Sequence, residues 1–560
     1  MRSKSRKWII FLEKNRVDIK KAFEEINIDV DKVSDPHLKT IIIKLLNIIE
    51  ALSIENKDLK EKNQKLKDEN NRLKGEQGKP VINPQAAKKD ISSEKERKTR
   101  KKKKKKSKSK KHKIIIDRVV KCTIDKLELP PDAVFKGYQP VVVQDIVIKK
   151  DNIEFKKEIY YSPSAKKTFI ADLPNGYYGE FGPNLKALIV SLHSNSKMTE
   201  PAIVEFLETH GIVISAATVS RIITDNHDCF HQEKKDIVHA GLPSTIYQQM
   251  DDTSARVNGK NNYTHILCNE YYTAYFTRPQ KDRLTILEIL SQRPLTFRFN
   301  ESSYALMEQM QLPNKTMRLL KKQKPKKLMN REKVDNLLKT LFPNPDKHHT
   351  NRLIILEASA IIAYQELAHS IPLLLTDDAP QFKQITEMLA LCWIHDGRHY
   401  KKLDPVIPAH KKRLAIFLRR YWKYYHKLLA YKKSPTSMSA KILRREFKIL
   451  FSTKTGYDAL DNRIKKTKLK KKSLLLVLKY PEIPLHNNAS ELGARVQARY
   501  RDISLQTKNK KGTEAKDTFM TIVSTAKKLG VNAFHYIRDR ISKQFEMPSL
   551  SSLIAIHNTS

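Results

Sequence analysis

Leucines recur at every seventh residue, at Leu38, Leu45, Leu52, Leu59, Leu66 and Leu73. Ile42, Ile49, Asn56, Asn63 and Asn70 occupy the alternate seam. A period sustained over five heptads predicts a coiled coil across 38–74. Seam asparagines favour a two-stranded, register-fixed pair at a cost in stability. A single amphipathic helix packed on its own protein is the alternative. Gly75 and Gly78-Lys79-Pro80 end the pattern. Residues 1–37 read as a small helical segment. Residues 75–113, rich in Lys, Ser and Glu, carry too few large apolar side chains for a core and predict a disordered basic linker. From 114 to 180, β-branched and aromatic residues alternate with polar ones (IIIDRVVKCTI, YQPVVVQDIVI), which predicts a small β-rich module.

At residue 181 the period becomes helical. A helix is expected over 184–194 and another from Pro201 to Thr209, with Gly211 as a turn. Ser215 is placed to cap a third helix running to about Thr224. This 181–240 region has helix-turn-helix spacing, and Thr218, Ser220 and Arg221 are its candidate DNA contacts. Three strands follow (TIYQQMDD, NYTHILCN, YTAYFTR), the first two joined by a hairpin at Asn258-Gly259. Three antiparallel strands with an Asp ending the first are the opening of an RNase-H-like sheet. A helix is predicted at 282–291, then a basic helical insertion over 292–370. The run IPLLL before Asp377 has the character of a buried parallel strand. Helices are expected over 380–400 and 409–432, and another carries Glu491. Residues 241–545 thus form one α/β domain, and 546–560 a tail.

Charge narrows the function. The chain has 107 Lys+Arg against 61 Asp+Glu, a net +46 over 560 residues. The run from Lys98 to Lys113 supplies only about a quarter of that excess, so the folded parts are basic too. Such a surface points to a polyanion, most often nucleic acid, with a ribosome-like or merely solvated basic surface as the alternative. Four scattered cysteines indicate neither a disulfide framework nor a cysteine-rich zinc module, and a reducing compartment is expected. The short apolar runs span no bilayer, so a cytoplasmic, membrane-free protein is expected.

Three acids stand in distinctive contexts: Asp251 in QMDDTSARVNGK, Asp377 in PLLLTDDAPQF, and Glu491 in LHNNASELGAR. Carboxylates brought together on strand ends and a helix would hold two Mg²⁺ ions, with Mn²⁺ as substitute, for phosphoryl transfer. Asn487 and Asn488 are each placed to cap the helix of Glu491. Arg495 and Arg499 lie four and eight residues beyond it, on the same face. The Cys392-Trp393-Ile394-His395 segment has half a metal-site spacing, but structural zinc needs four ligands, so packing or hydrogen bonding is favoured. Trp393 reads as a core residue before it reads as a base-stacking one.

The segments QMDDTSARVNGKNNYTHILCN, LLLTDDAPQFK, LALCWIHDGRHYKKL and LHNNASELGARVQARYRDIS resemble the transposases of insertion-sequence family 66, which are bacterial DDE enzymes. So does the tail GTEAKDTFMTIVSTAKKLGVNAFHYIRDRI. The resemblance covers roughly 180–290 and 370–545. It implies that Asp251, Asp377 and Glu491 are the catalytic, metal-binding triad, and it favours Asp251 over Asp252 and Asp377 over Asp378. It implies an RNase-H-like catalytic core with a helical insertion, preceded by a coiled coil, the β-rich module and the helix-turn-helix. It further implies cleavage of element ends at terminal inverted repeats and strand transfer into target DNA. A homodimer or higher oligomer and small accessory proteins of the same element would be partners. Arg398, Lys401 and Lys508 join Arg495 and Arg499 as candidate phosphate contacts. The family's cysteine-paired zinc segment is reduced here to Cys122, which makes zinc unexpected. The alternatives are an inactive, element-derived DNA-binding protein and a nuclease of the same fold without strand transfer.

Overall fold

The computed structural model describes residues 30–73, 114–125 and 129–559. The predicted basic linker and most of the first segment lie outside these. Pro36–Leu73 form one 38-residue helix, α1. Its two seams differ. Ile42, Leu46 and Ile49 pack with Val30 and Ile407 of the same chain. Beside them Glu50 is buried and accepts hydrogen bonds from the Val406 amide (2.6 Å), the Ile407 amide (3.2 Å) and His410 Nδ1 (3.2 Å). Burial opposes ionisation of Glu50, yet these bonds outweigh it and hold the carboxyl below its ordinary range. The leucine seam faces outward, from 50% exposed at Leu38 to 78% at Leu73. The isoleucine seam therefore docks on its own protein and the leucine stripe is left open.

The 114–180 segment gives less β structure than its alternation predicts. Residues 114–125 and 129–158 contain neither helix nor strand. The strands among the described residues of this segment are β1 (Ile159–Ser162) and β2 (Lys167–Ile170), which pair as an antiparallel ribbon. Alternation makes a sheet when a facing layer buries one side. Here Val141, Val143 and Val147 are exposed, and among the described residues no such layer covers them.

Next come α2 (Pro183–Ser194), α3 (Glu200–Thr209) and α4 (Ala216–Thr224), which share a small core of Ile189, Ile203, Leu207, Ile214, Val219 and Ile223. The local chemistry is as the sequence predicts. Pro201 sits in the first turn of α3, and Ser215 caps α4 by accepting from the Thr218 amide. Gly211 turns the chain at φ 75°, where a side chain would be strained. Helix α5 (Asp228–Gly241) leads to the sheet.

The sheet has strands β3 (Tyr247–Val257), β4 (Lys260–Cys268) and β5 (Thr273–Arg278). Asn258 and Gly259, both at positive φ, make the predicted hairpin turn. After α6 (Arg283–Ser291), residues 292–370 form a ribbon of β6 (Thr296–Arg298) and β7 (Leu328–Asn330) with α7 (Glu301–Gln309), α8 (Asn314–Lys322), α9 (Arg331–Leu341) and α10 (His349–Gln365). This stretch is no appendage: Phe297, Met307, Leu320 and Leu338 share one core with Met250, Leu267 and Leu374 of the sheet. Strands β8 (Leu373–Thr376) and β9 (Met388–Leu391) complete a mixed five-stranded sheet, order β5-β4-β3-β8-β9. The first three strands are antiparallel, and β3, β8 and β9 are parallel. A continuous helix over 380–400 is thus corrected to a short 3-10 turn, strand β9 and a helix. A four-residue apolar run carries too little periodicity to separate strand from helix.

Helices α11 (Trp393–Lys401), α12 (Pro408–Lys433), α13 (Ser437–Leu450) and α14 (Asp458–Leu469) enclose an aromatic core of Trp393, Tyr421, Tyr425 and Phe447. They are followed by α15 (Asn488–Ser504), α16 (Lys510–Lys528), α17 (Ala533–Ile541) and α18 (Leu550–Ala555). The expected tail is part of the main core, since Leu550 and Ile554 are fully buried in it. Helix α16 also closes the free edge of β5. Asp517, Thr521 and Thr525, four residues apart on one face, take up the outward amides of Thr277, Tyr275 and Thr273. Side chains thereby satisfy a strand edge that would otherwise pair with another chain. No helix among the described residues is long and apolar enough to cross a membrane.

Candidate functional site

Strand pairing brings the first two acids together. Gln249 of β3 is in parallel register with Leu375 of β8, and Asp251 and Asp377 each stand two residues further on. The fully buried Leu373, Leu374 and Leu375 anchor β8, each contributing roughly 1.5–3 kcal/mol by burial. Asp251 lies in the middle of β3 and does not end it. The strand continues through polar residues to Val257 because β4 still pairs with it. The segment after α15 adds bonds there, from the Thr507 amide to the Arg256 carbonyl and from the Asn258 amide to the Thr507 carbonyl.

Glu491 arrives on the first turn of α15, which packs across β3 and β4. Gly493 permits the approach: a Cβ at that position would stand 2.7 Å from Ile266 Cγ2 on β4. Neither asparagine caps this helix through its side chain. Asn487 occupies the cap position but is fully buried and makes no cap bond, and Asn488 is already the first helical residue.

The three acids feel one another electrically. Burial, the negative charge of Asp377 and, more weakly, those of Asp252 and Glu491 push Asp251 up to about 7. Burial likewise raises Asp377, whose Oδ1 accepts the Ala379 amide at 3.0 Å. The Glu491 carboxylate faces Arg398, which donates two bonds to it (Nη1–Oε1 3.1 Å, Nη2–Oε2 3.2 Å), and His395 Nε2 lies 3.6 Å away. Burial drives the His395 imidazole toward its neutral form. As these side chains stand, no group of three or more His, Cys, Asp or Glu among the described residues is arranged to hold a metal ion. The donor set nonetheless fits a hard divalent cation. Buried carboxylates short of counter-charge supply oxygen ligands, and Asp251 and Asp377 are the pair placed for it. Glu491 would join once its carboxylate leaves Arg398.

The neighbouring acids are engaged elsewhere. Asp252 accepts from Gln381 Nε2 at 2.8 Å and lies 3.8 Å from Lys281 Nζ. Asp378 pairs with Lys470 at 2.6 Å and Lys383 at 3.6 Å. This partition supports Asp251 and Asp377 as the members with free oxygens. Lys281, Lys383 and Lys470 form a cationic border that sequence reasoning did not single out. Nearby, burial and the charges of Arg463, Lys470 and Lys402 drive His399 down to about 4, leaving it neutral.

The other candidates divide. Arg495, Arg499 and Lys508 are exposed, whereas Arg398 is engaged with Glu491. Lys401 is half-buried, its amine 5.9 Å from the Trp422 ring centre. On α4, Arg221 is exposed and donates to Thr218 Oγ1 at 3.0 Å, while Thr218 and Ser220 are half-buried. These α4 residues sit apart from the three acids, on a different element. Trp393 is a core residue, 1% exposed, its Nε1 donating to the Leu474 carbonyl. Cys392 is likewise buried, and its Sγ accepts from the His395 amide at 3.4 Å.

No protein-family model matches this chain. A curated protein of Sinorhizobium fredii (strain NBRC 101917 / NGR234), uncharacterized protein y4jO, is 29% identical over 323 residues. The alignment covers 57% of this chain and 99% of that protein.

Proposed function

We propose that this protein is a DDE transposase of the insertion-sequence 66 type, which cuts element ends and joins them to target DNA. The observation that carries the reading is the parallel β3–β8 pair, which sets Asp251 beside Asp377 at the centre of a mixed sheet. Antiparallel first, second and third strands, with fourth and fifth added in parallel beside the first, support an RNase-H-like core. Glu491 reaches that centre from a helix packed on the same strands.

Asp251, Asp377 and Glu491 would hold magnesium, which when bound supplies neutralisation of phosphate charge and activation of an attacking oxygen. The chain's own residues position the substrate. Lys281, Lys383 and Lys470 border the acids and offer charge to the DNA backbone. Arg495 and Arg499 extend that cationic surface along α15, on the face of Glu491. Arg398 acts as a placeholder: its guanidinium matches a phosphate as well as it matches Glu491. An arriving phosphodiester would draw Arg398 away and free the carboxylate. The basic surface supplies sequence-independent affinity, and α3–α4 supply a helix-turn-helix unit for the ends. The outward leucine stripe of α1 supports a coiled-coil dimer of two such chains.

Excision in cells tests the reading. A plasmid carrying the DNA that flanks this gene, with the protein supplied in trans, should lose the intervening segment. Asp377→Asn should abolish that loss while the protein still accumulates. Equal excision with the variant would refute the assignment.

A further inference from the structure

Between α2, α4, α5 and the end of α17 lies a cavity of about 260 Å³, just below the roughly 300–1,000 Å³ of small-molecule sites. It is built from elements that carry none of the three acids. Its walls combine aromatic rings, Tyr178, Phe230 and Phe545, with the cations Lys186, Arg221 and Lys543. Asp225, which is itself in the lining, and Asp539, the neighbour of the lining Arg540, are each already paired with a cation. Asp225 pairs with Lys511 at 2.8 Å, and Asp539 pairs with Arg540. Lys186, Arg221 and Lys543 have no carboxylate within ion-pairing distance among the described residues.

Lys186 is 8% exposed, donates to the Tyr178 carbonyl at 2.7 Å and stands 3.4 Å from the Tyr178 ring centre. Lys543 Nζ is 6.0 Å from the same ring. Burial alone pushes the Lys186 amine down to about 8, the signature of a cation lacking a counter-ion. Two amines and a guanidinium around one cavity call for an anion, and the rings call for a flat, stacking group. A phosphate joined to a planar base has both.

We propose that this cavity binds a nucleotide monophosphate, its phosphate held by Arg221, Lys543 and Lys186 and its base against the aromatic wall. The source is either a free mononucleotide or the 5′-phosphorylated end of a bound strand.

Calorimetry on the full-length protein tests this with adenosine 5′-monophosphate, adenosine and inorganic phosphate as probes. The monophosphate is expected to bind at least tenfold more tightly than either fragment. Arg221→Gln combined with Lys543→Gln, both outside the packed core, should weaken it at least tenfold with the melting temperature unchanged. A 5′-phosphorylated oligonucleotide that displaces the monophosphate identifies a strand end as the source, and failure to displace it identifies the free nucleotide. Absence of monophosphate binding, or binding unchanged in the double variant, overturns the proposal. Asp251→Asn should bind the monophosphate normally, so failure here and failure of the catalytic reading are separable.

Discussion

Asp251→Asn should stabilise the metal-free protein at neutral pH. In the folded state this carboxyl titrates at about 7 against an ordinary value of 3.8, because burial and the charge of Asp377 oppose its ionisation. The sign follows from linkage. Below about pH 4 both folded and unfolded chains hold the proton and the group costs nothing. Between 4 and 7 the unfolded chain ionises while the fold retains the proton, so stability falls as pH rises. Above 7 both are ionised and the cost is full, at most about 4 kcal/mol for this displacement. Asparagine keeps the shape and the acceptor for the Asp252 amide, which bonds to Asp251 Oδ1 at 2.8 Å, but carries no charge. Urea unfolding in chelator should therefore show the variant about 2–4 kcal/mol more stable than wild type at pH 8 and nearly equal to it at pH 4. Added Mg²⁺ should raise the wild type alone, since ligand binding to the folded state stabilises it. A variant no more stable than wild type at pH 8, or a difference independent of pH, would refute the view of Asp251 as a carboxylate awaiting a cation.

Other perturbations reach the supports of the site. Gly493→Ala places a methyl 2.7 Å from the stiff, buried Ile266 side chain; it should destabilise by about 1–3 kcal/mol and depress DNA cleavage more than DNA binding, as kinetics and filter binding would show. Replacing Leu52 and Leu59, both largely exposed, by glutamate should convert a dimer to a monomer in light scattering without altering the melting temperature. Arg398→Ala removes the partner of Glu491 and should tighten Mn²⁺ binding by roughly tenfold in calorimetry, about 1.4 kcal/mol, while weakening DNA binding.

Part of this site was legible because an apolar run leads straight into Asp377. LLLT before Asp377 is recognisable as a short buried strand that stops at the acid, whereas QQM before Asp251 belongs to a strand that runs on past it to Val257. The sequence did not disclose how far β3 continues, since the polar residues 252–257 are held by β4 and by Thr507, distant in the chain. The heptad likewise announced a helix but not its faces. Ile42 and Ile49 dock beside Ile407 through contacts that no local pattern encodes, and the buried Glu50 looks like an ordinary surface acid. Arg398 sits 93 residues from Glu491, so its clamp is a product of the fold alone. The alternation at 114–158 misled because a strand pattern needs a facing layer, and among the described residues none covers it. The last residues passed for a tail because two buried side chains, Leu550 and Ile554, are too few to stand out.

Asp251, Asp377 and Glu491 are proposed to perform metal-dependent phosphodiester chemistry together. Purified protein incubated with a labelled duplex from the DNA flanking the gene tests it most directly. Wild type with Mg²⁺ should release 3′-hydroxyl ends and join them to a second duplex. Chelator, Asp251→Asn, Asp377→Asn or Glu491→Gln should each abolish both products while the protein still binds the duplex. Cleavage that survives in any of the three variants would contradict it.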